Sequence, residues 1–377
     1  MLERKHKPVM RQFRISPLLL LLLSALSITQ TAQSFQLPSF FGAKNKQPAQ
    51  QDTKSSSSVQ DIHAAVIVPG FLTGDEDFKP LAQSLSKRGI PTAVVPLPPW
   101  HWIPCVGGRS MRPMLERIDY AVRYVCSEMS KNPTLGGETI NIPPYGYSLM
   151  DCYTDFMLNP GGALKVGGSD EVDEYPTDVE PRGDFTLPGE NDNDDTEGSV
   201  RICLIGHSAG GWISRVYLSD RSYGGKVYGG TKYVHSLVTL GTPHGNAPGP
   251  AFKGIEWCNR EPLPIRGLAV AGVGSPGDSS GKLTQNAYAF CDPDGTGDGS
   301  EYDGDGLTPV FSSLFMEGDD VEKITLDGVT HYPWSDAGIW GDLFAPELAE
   351  EHRKGKPWYG DDDIVDQWVE PFLTRKK

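Results

Sequence analysis

The chain has 377 residues, 38% of them hydrophobic and 22% charged, and its 43 glycines and 31 prolines predict many turns between short elements. This length is enough for one catalytic domain with a well-buried core. The formal net charge of -15 argues against a nucleic-acid partner, because phosphate binding needs clustered Lys and Arg side chains.

Residues 1–34 have the layout of a secretory signal peptide. A basic flank precedes a short apolar run, too short to span a bilayer comfortably, and T-A-Q-S follows. A retained membrane anchor is the alternative. The next segment, 35–61, is rich in Ser and Lys and poor in acids, and the join A-Q-S-F-Q-L-P resembles the two-part presequence of algae with secondary plastids. We therefore expect entry into the secretory route and delivery to a plastid, with secretion or the ER lumen as the alternative.

The body of the chain, 62–377, alternates short apolar runs with amphipathic stretches. Strands are predicted at 64–68, 90–97, 200–205 and 234–240, and helices at 78–88, 111–129 and 210–218. This alternation predicts an α/β fold with a mainly parallel central sheet.

A stretch at about 165–199 interrupts the alternation. Residues 169–198 contain twelve Asp and Glu against one Arg and show no apolar periodicity. Because such a segment buries too little apolar surface to offset its ordering entropy, we expect a disordered acidic insertion at the surface. A partner-binding segment is the alternative.

The strongest chemical signal is a G-x-S-x-G motif at 206–210, between a predicted strand and a predicted helix. A nucleophilic serine needs a strained, tight turn that lifts its hydroxyl above the sheet, and side chains at Gly206 and Gly210 would clash with neighbouring elements. The motif therefore predicts that Ser208 is a nucleophile. His207 beside it is expected to pack or hydrogen-bond structurally.

Further short motifs follow in order along 62–371. They are V-P-G-F at 68–71, G-H-S-A-G-G-W at 206–212, L-G-T-P-H-G at 240–245, G-D-G-L-T-P at 304–309 and K-P-W-Y-G at 356–360. With these motifs the chain resembles a lipase-like α/β-hydrolase family of plants, algae and cyanobacteria. The resemblance implies the α/β-hydrolase fold, with helices on both faces of the sheet, and hydrolysis of a carboxylic ester without a cofactor.

A serine nucleophile needs a base, and the base needs an orienting carboxylate. The chain order of such hydrolases is serine, acid, histidine, and three histidines follow Ser208 at a useful distance. His331 is the expected base, because it lies in a turn shortly after the apolar run 321–326, where the resembled family places its last catalytic loop. His352 lies in a charged stretch, and the family resemblance implies that His244 lines the active site instead. The resemblance also implies that Asp305 is the acid, with Asp303 as the alternative.

Two backbone N–H groups are predicted to form the oxyanion hole, that of Ala209 after the nucleophile and that of Phe71 after the first strand. Pro69 departs here from the His-Gly of a more usual lipase. The aromatic residues Trp100 and Trp102, at the tip of a proline-rich loop, are predicted to line the substrate pocket or to contact lipid. Core packing is the alternative for both.

The six cysteines show no zinc-ligand spacing. Cys203, inside an apolar strand, is expected to be a reduced core residue, whereas Cys258 and Cys291 are candidates for a disulfide if the compartment is oxidising, a question that the sequence leaves open. The segment 292–303 places oxygen ligands at calcium-loop spacing, but no helices flank it and Asp replaces the usual Glu. We expect a solvent-exposed acidic loop there and no metal site, with calcium binding as the alternative.

Three functions from different classes stay open. The first is a lipase or esterase, and the second is an acyltransferase in which an alcohol rather than water resolves the acyl-enzyme. The third is a non-catalytic binding module on the hydrolase fold, which an intact triad disfavours. The expected partners are a small-molecule ester or lipid and, peripherally, a membrane surface.

Overall fold

The computed structural model describes residues 63–99, 102, 111–132, 135–143, 200–223, 226–332, 350 and 354–373. Of two compact units, Met1–Ser56 lies wholly outside these residues and Ser57–Lys377 contains all of them. The expectations for the signal peptide, the segment 35–61, the acidic insertion, Trp100 and His352 also lie outside the described residues. Within the described part, no helix has both the length and the apolar character needed to cross a bilayer.

Six parallel strands form the central sheet. They are β1 (Ala64–Val68), β2 (Thr92–Val94), β3 (Ile202–His207), β4 (Val234–Leu240), β5 (Arg266–Val273) and β6 (Val321–Asp327). Their spatial order is β2-β1-β3-β4-β5-β6, and every neighbouring pair is parallel. The inner strands β1 and β3 are buried along their whole length, as expected for parallel strands covered on both faces.

Helices cover both faces of this sheet. They are α1 (Lys79–Lys87), α2 (Arg112–Lys131), α3 (Ala209–Leu218), α4 (Lys253–Cys258), α5 (Lys282–Phe290), α6 (Val310–Ser313) and α7 (Asp362–Leu373). Alternate residues of a strand point to opposite faces, and β1 divides accordingly. Val66 packs in one apolar cluster with α2 and α3, and Ile67 packs in a second cluster with α1 and α7. The predicted α/β class and mainly parallel sheet are confirmed.

The observed elements differ from the predicted ones in three ways. β2 is confined to Thr92–Val94, because Pro91 and Pro96 flank it and proline cannot donate to a strand ladder. β3 ends two residues later than predicted, so the strand leads directly into Ser208. The strands β5 and β6 and the helices α4 to α7 are absent from the predicted elements.

The strand order places a crevice at the carboxyl ends of β1 and β3. From β1 the chain continues to β2 on one side, while β3 lies on the other side of β1. In open α/β sheets, ligands bind outside the carboxyl ends of the strands at such a switch point. The turn after β1 and the serine after β3 both lie at this position.

Candidate active site

The candidate nucleophile occupies a strained turn between β3 and α3. Ser208 has φ 50° and ψ -128°, and Leu72 is the only other described non-glycine residue with positive φ. A side chain at Gly206 would collide with the backbone of Gly211, and one at Gly210 would collide with the Val68 carbonyl. The predicted clash at both glycines is confirmed. Strain held by such close packing is typical of functional sites.

This backbone strain predicts an unusual stability ranking. Ser208→Gly should be more stable than Ser208→Ala by about 1 kcal/mol, because glycine adopts positive φ without steric cost. Both variants lack the hydroxyl, so their difference in unfolding free energy reports the backbone alone. Urea titration of the two proteins measures it. The greater entropy of glycine in the unfolded state favours the opposite ranking. Equal stabilities, or a more stable Ser208→Ala, would therefore contradict backbone strain at Ser208.

The structure brings the predicted base and acid together. His331 Nδ1 lies 2.7 Å from Asp305 Oδ2, and the His331 N–H donates to the Asp305 carbonyl at 3.0 Å. The other carboxylate oxygen, Oδ1, accepts the N–H groups of Leu307 at 3.0 Å and Thr308 at 2.8 Å. Both side chains of the pair are buried. The carboxylate is therefore held from both sides with one oxygen facing the imidazole.

The surroundings of Asp305 favour its charged form. Burial raises the pKa of Asp305. The charge of His331 and the hydrogen bonds from His331, Thr308 and Tyr359 together lower it by a larger amount. The resulting pKa lies below that of an ordinary carboxyl group. Near neutral pH the carboxylate is charged and stabilises the imidazolium that forms when His331 takes a proton.

His207 binds the segment that carries His331 and holds it next to Ser208. Its Nε2 donates to the His331 carbonyl at 2.6 Å, and the two rings lie 4.8 Å apart between centroids. The expected structural role of His207 is confirmed. Within the described residues, the half-buried Ser208 has no hydrogen bond from its hydroxyl to His331. Such bonds are often long before a substrate binds.

The buried His207 predicts acid destabilisation. Burial, followed by the charge of His331, lowers the pKa of His207 to about 3 in the folded protein. In the unfolded chain it is about 6.5, so the stabilising effect is full above about pH 6.5 and is lost as the pH falls towards 3. Within this window the free energy of unfolding should fall by about 1.4 kcal/mol per pH unit on account of this one group.

His207→Gln should remove that contribution to the slope, because its amide still donates to a carbonyl but does not titrate. Urea unfolding at several pH values between 6 and 4 measures the slope of the unfolding free energy against pH. The slopes of the wild type and of His207→Gln should differ by about one proton. Ser208→Ala, which leaves the histidines in place, is the matched control and should keep the wild-type slope. A His207→Gln slope identical to that of the wild type would show that the folded protein protonates His207 normally.

The turn after β1 presents the first predicted oxyanion donor. Thr73 closes the turn with its N–H at 3.1 Å and its hydroxyl at 2.7 Å from the Gly70 carbonyl, and Leu72 has φ 58°. The N–H groups of Phe71 and Ala209 donate to no acceptor within the described residues. Ala209 is the first residue of α3, where N–H groups have no partner within the helix and the helix dipole favours negative charge.

A side chain at Gly70 would lie 2.8 Å from Ser208 Cβ, so the turn after β1 lies directly against the nucleophile. Phe71 and Ala209 therefore come from adjacent strand ends at the same crevice. Two N–H groups near a nucleophile are the kind of donors that stabilise a tetrahedral oxyanion.

Two residues predicted to line the pocket have structural positions instead. Trp102 is completely buried, and its Nε1 donates to the Thr73 carbonyl at 3.3 Å. Its ring packs edge-to-face against that of Phe71, with 5.6 Å between the ring centroids, so Trp102 packs against the turn after β1. The core-packing alternative holds for Trp102. Phe71 itself is 39% exposed, and it is the aromatic side chain at the mouth of the crevice.

His244 is also completely buried, which corrects its predicted place in the pocket lining. Its Nδ1 accepts from Arg215 at 3.3 Å, and its Nε2 lies 3.1 Å from the Thr239 hydroxyl. Asn259 donates to its carbonyl at 2.7 Å. Burial and then the charge of Arg215 hold the pKa of His244 well below its usual range. This neutral histidine links α3 to the segment after β4.

The carboxylates of the segment 292–303 bind the protein's own backbone. Asp292 accepts the N–H groups of Thr296 at 2.8 Å and Gly297 at 2.7 Å and the hydroxyl of Tyr302 at 2.8 Å. In the described part of the chain, no group of three or more His, Cys, Asp or Glu side chains has an arrangement that would hold a metal ion.

Asp303, the alternative acid, faces away from His331. Its carboxylate accepts the N–H groups of Gly274 at 3.1 Å, Ser275 at 2.9 Å and Gly304 at 2.7 Å. Asp303 therefore fastens the segment that carries Asp305 to the residues that follow β5. The geometry pairs His331 with Asp305 and leaves Asp303 a supporting position.

The buried cysteines are thiols. Cys203 is a free core residue, as predicted, and burial raises its pKa to about 12. Cys258 and Cys291 are likewise buried and free, so the pairing considered for an oxidising compartment does not occur. Burial raises the pKa of these two thiols to about 11 and about 12 respectively. Thiols of this kind are poor nucleophiles near neutral pH.

Sequence reasoning missed one polar contact of the site. The hydroxyl of Tyr359 donates to Asp305 Oδ2 at 2.7 Å. Its segment, K-P-W-Y-G, carries part of the family resemblance, yet no pattern assigns a role to the tyrosine. A buried tyrosine normally finds a partner for its hydroxyl, which is the one signal that points to such a contact.

No protein-family model matches the chain, and no curated protein matches it significantly. The resemblance to lipase-like hydrolases stays a prediction that rests on the order of its motifs. The chemistry of the site is therefore inferred from the geometry of Ser208, His331 and Asp305.

Proposed function

We propose that the protein is a serine hydrolase of the α/β-hydrolase fold that cleaves a carboxylic ester through Ser208, His331 and Asp305. The observation that carries the proposal is the buried pair of His331 and Asp305. This pair is fastened through His207 beside a strained serine at the switch point of a parallel sheet. Nucleophile, base and orienting acid follow the chain order of α/β-hydrolases.

In the proposed reaction, Ser208 Oγ attacks the ester carbonyl carbon while His331 Nε2 takes the hydroxyl proton. Asp305 stabilises the imidazolium, and the N–H groups of Phe71 and Ala209 meet the oxyanion. The tetrahedral intermediate expels the alcohol, which receives the proton from His331, and leaves an acyl-enzyme. Water then gives a proton to His331 as it attacks the acyl carbon. His331 returns that proton to Ser208 Oγ as the bond between this oxygen and the acyl carbon breaks, which releases the carboxylic acid and regenerates the serine.

The proposed substrate class is a lipid ester. The exposed Phe71 and the half-buried Leu72 give the mouth of the crevice an apolar edge next to the nucleophile. Apolar side chains at a pocket entrance favour an acyl chain and a peripheral contact with a lipid surface. We propose that the protein meets such lipids in a plastid reached through the secretory route.

A fluorophosphonate probe and an ester panel test the proposal. The probe should label the protein, and peptide mapping should place the label on Ser208. Esters of increasing chain length, from acetate to palmitate, together with galactolipids, should be hydrolysed with a preference for the longer chains. Product analysis in the presence of glycerol identifies the acyl acceptor. Transfer that exceeds hydrolysis would make the protein an acyltransferase, and an unlabelled, inactive protein would make it a binding module.

A further inference from the structure

Asp305 shares one of its carboxylate oxygens between two donors. Oδ2 accepts His331 Nδ1 at 2.7 Å and the Tyr359 hydroxyl at 2.7 Å. Oδ1 is occupied by the backbone of Leu307 and Thr308. The two donors on Oδ2 therefore compete for the same negative charge.

The direction of the tyrosine hydrogen bond is fixed by its surroundings. The Tyr359 oxygen accepts the Gly272 N–H at 2.7 Å, so the single proton of the hydroxyl is left for Asp305. A side chain at Gly272 would meet both Asp305 and Tyr359, and one at Gly241 would do the same. The hydroxyl is thus closely enclosed. Burial and the charge of Asp305 raise the pKa of Tyr359 well above its usual value, which keeps it a donor.

The backbone around Tyr359 is tied to the rest of the site. Trp368 Nε1 on α7 donates to the Tyr359 carbonyl at 3.0 Å. The Thr330 N–H donates to the Pro357 carbonyl at 2.7 Å, one residue before His331. These hydrogen bonds fix the position of Tyr359 relative to His331 as well as to Asp305.

We propose that Tyr359 is a positioning residue that orients the Asp305 carboxylate and sets how much of its charge faces His331. The inference rests on the proposed function. Because the hydroxyl draws charge from Oδ2, the imidazolium of His331 is less stabilised than it would be beside an unshared carboxylate. Removal of the hydroxyl should therefore strengthen the interaction between Asp305 and a protonated His331.

The test follows the reaction of Ser208 with a fluorophosphonate probe as a function of pH, which requires no knowledge of the natural substrate. In Tyr359→Phe, the acid limb of the rate–pH profile should move to higher pH by about half a unit to one unit. The plateau rate should fall about tenfold, because the carboxylate loses one of the groups that orient it.

Tyr288→Phe is the matched control. Tyr288 is also completely buried, and its hydroxyl also donates one hydrogen bond and accepts one, donating to the Ser275 carbonyl at 2.8 Å and accepting the Gly306 N–H at 2.9 Å. It braces the same segment without touching the Asp305 carboxylate. Both variants should lose stability to a similar extent in urea, but only Tyr359→Phe should move the acid limb.

A second replacement at position 359 should move the acid limb of the rate–pH profile in the opposite direction. Site-specific 3-fluorotyrosine at position 359 keeps the ring and the hydroxyl but donates a stronger hydrogen bond. Its acid limb should move to lower pH than that of the wild type. This variant also serves if Tyr359→Phe does not fold.

Opposite shifts for the two replacements, with Tyr288→Phe unmoved, would support the inference. An unmoved acid limb in both Tyr359 variants, or an equal shift in Tyr288→Phe, would reduce Tyr359 to a structural residue and overturn it. Those results leave the proposed function intact, since Ser208 still reacts. A wild-type protein that neither reacts with the probe nor hydrolyses esters would instead remove the proposed function itself.

Discussion

Ser208→Ala should lower ester hydrolysis by about a millionfold while the protein stays folded. The loss follows from removal of the hydroxyl that we propose as the nucleophile. The fold should survive because the hydroxyl makes no hydrogen bond within the described residues and the turn is held by glycine packing. Turnover of a short-chain ester measures the effect, with circular dichroism and urea unfolding as checks on the fold.

His331→Ala should reduce turnover by a comparable factor, because triad members act as a unit. His244→Ala is the comparison, since His244 is buried in a network with Arg215 and should lose stability first. Rates are compared per folded molecule. Retained turnover in Ser208→Ala would reject the nucleophile, and a greater loss in His244→Ala than in His331→Ala would reject the base.

Asp305→Asn should lower kcat about ten-thousandfold. The amide has no charge with which to stabilise the imidazolium, and its NH₂ group placed towards Nδ1 would favour the wrong tautomer of His331. Two donors, from His331 and Tyr359, already point at the oxygen that would be replaced. The measurement is kcat for an ester at the pH of the plateau of the rate–pH profile.

Asp303→Asn separates the two aspartates. Its carboxylate holds the N–H groups of Gly274, Ser275 and Gly304, so the substitution should lower the free energy of unfolding by about 1–2 kcal/mol with a small effect on kcat. A chelator should change neither protein. If Asp303→Asn were the crippling change and Asp305→Asn the mild one, the acid would be Asp303. Rescue of a chelated sample by calcium would instead point to an ion on the segment 292–303.

The elements that position the nucleophile are those that the sequence predicts best. An apolar run, a glycine-flanked serine and an amphipathic stretch each follow from local physics, and they reproduce β3, Ser208 and α3 to within two residues. β5 escapes the same reasoning because R-G-L-A-V-A-G-V contains small residues that carry little strand signal. One of them, Gly272, is small because a side chain there would collide with Asp305 and Tyr359.

Residues near the site in sequence are harder to place than the triad itself. Trp102 and His244 lie close to predicted site elements along the chain, yet burial and the direction of their side chains put both inside the protein. Asp303 and Asp305 differ by two residues and carry the same group. They are distinguished by their contacts: His331 Nδ1 lies against Asp305, whereas Asp303 accepts the N–H groups of Gly274 and Ser275. Such contacts depend on tertiary structure.

The hydrogen bonds of the site join distant parts of the chain, since His207 and His331 differ by 124 in residue number and Asp305 and Tyr359 by 54. Contacts across such separations close late, after local structure has formed. During synthesis the sheet strands leave the ribosome well before the tyrosine that completes the carboxylate's surroundings. A nascent chain therefore carries the serine turn and then His331 and Asp305 before it carries the tyrosine that contacts the carboxylate. We expect esterase activity to reach its full level only after the C-terminal segment has left the ribosome.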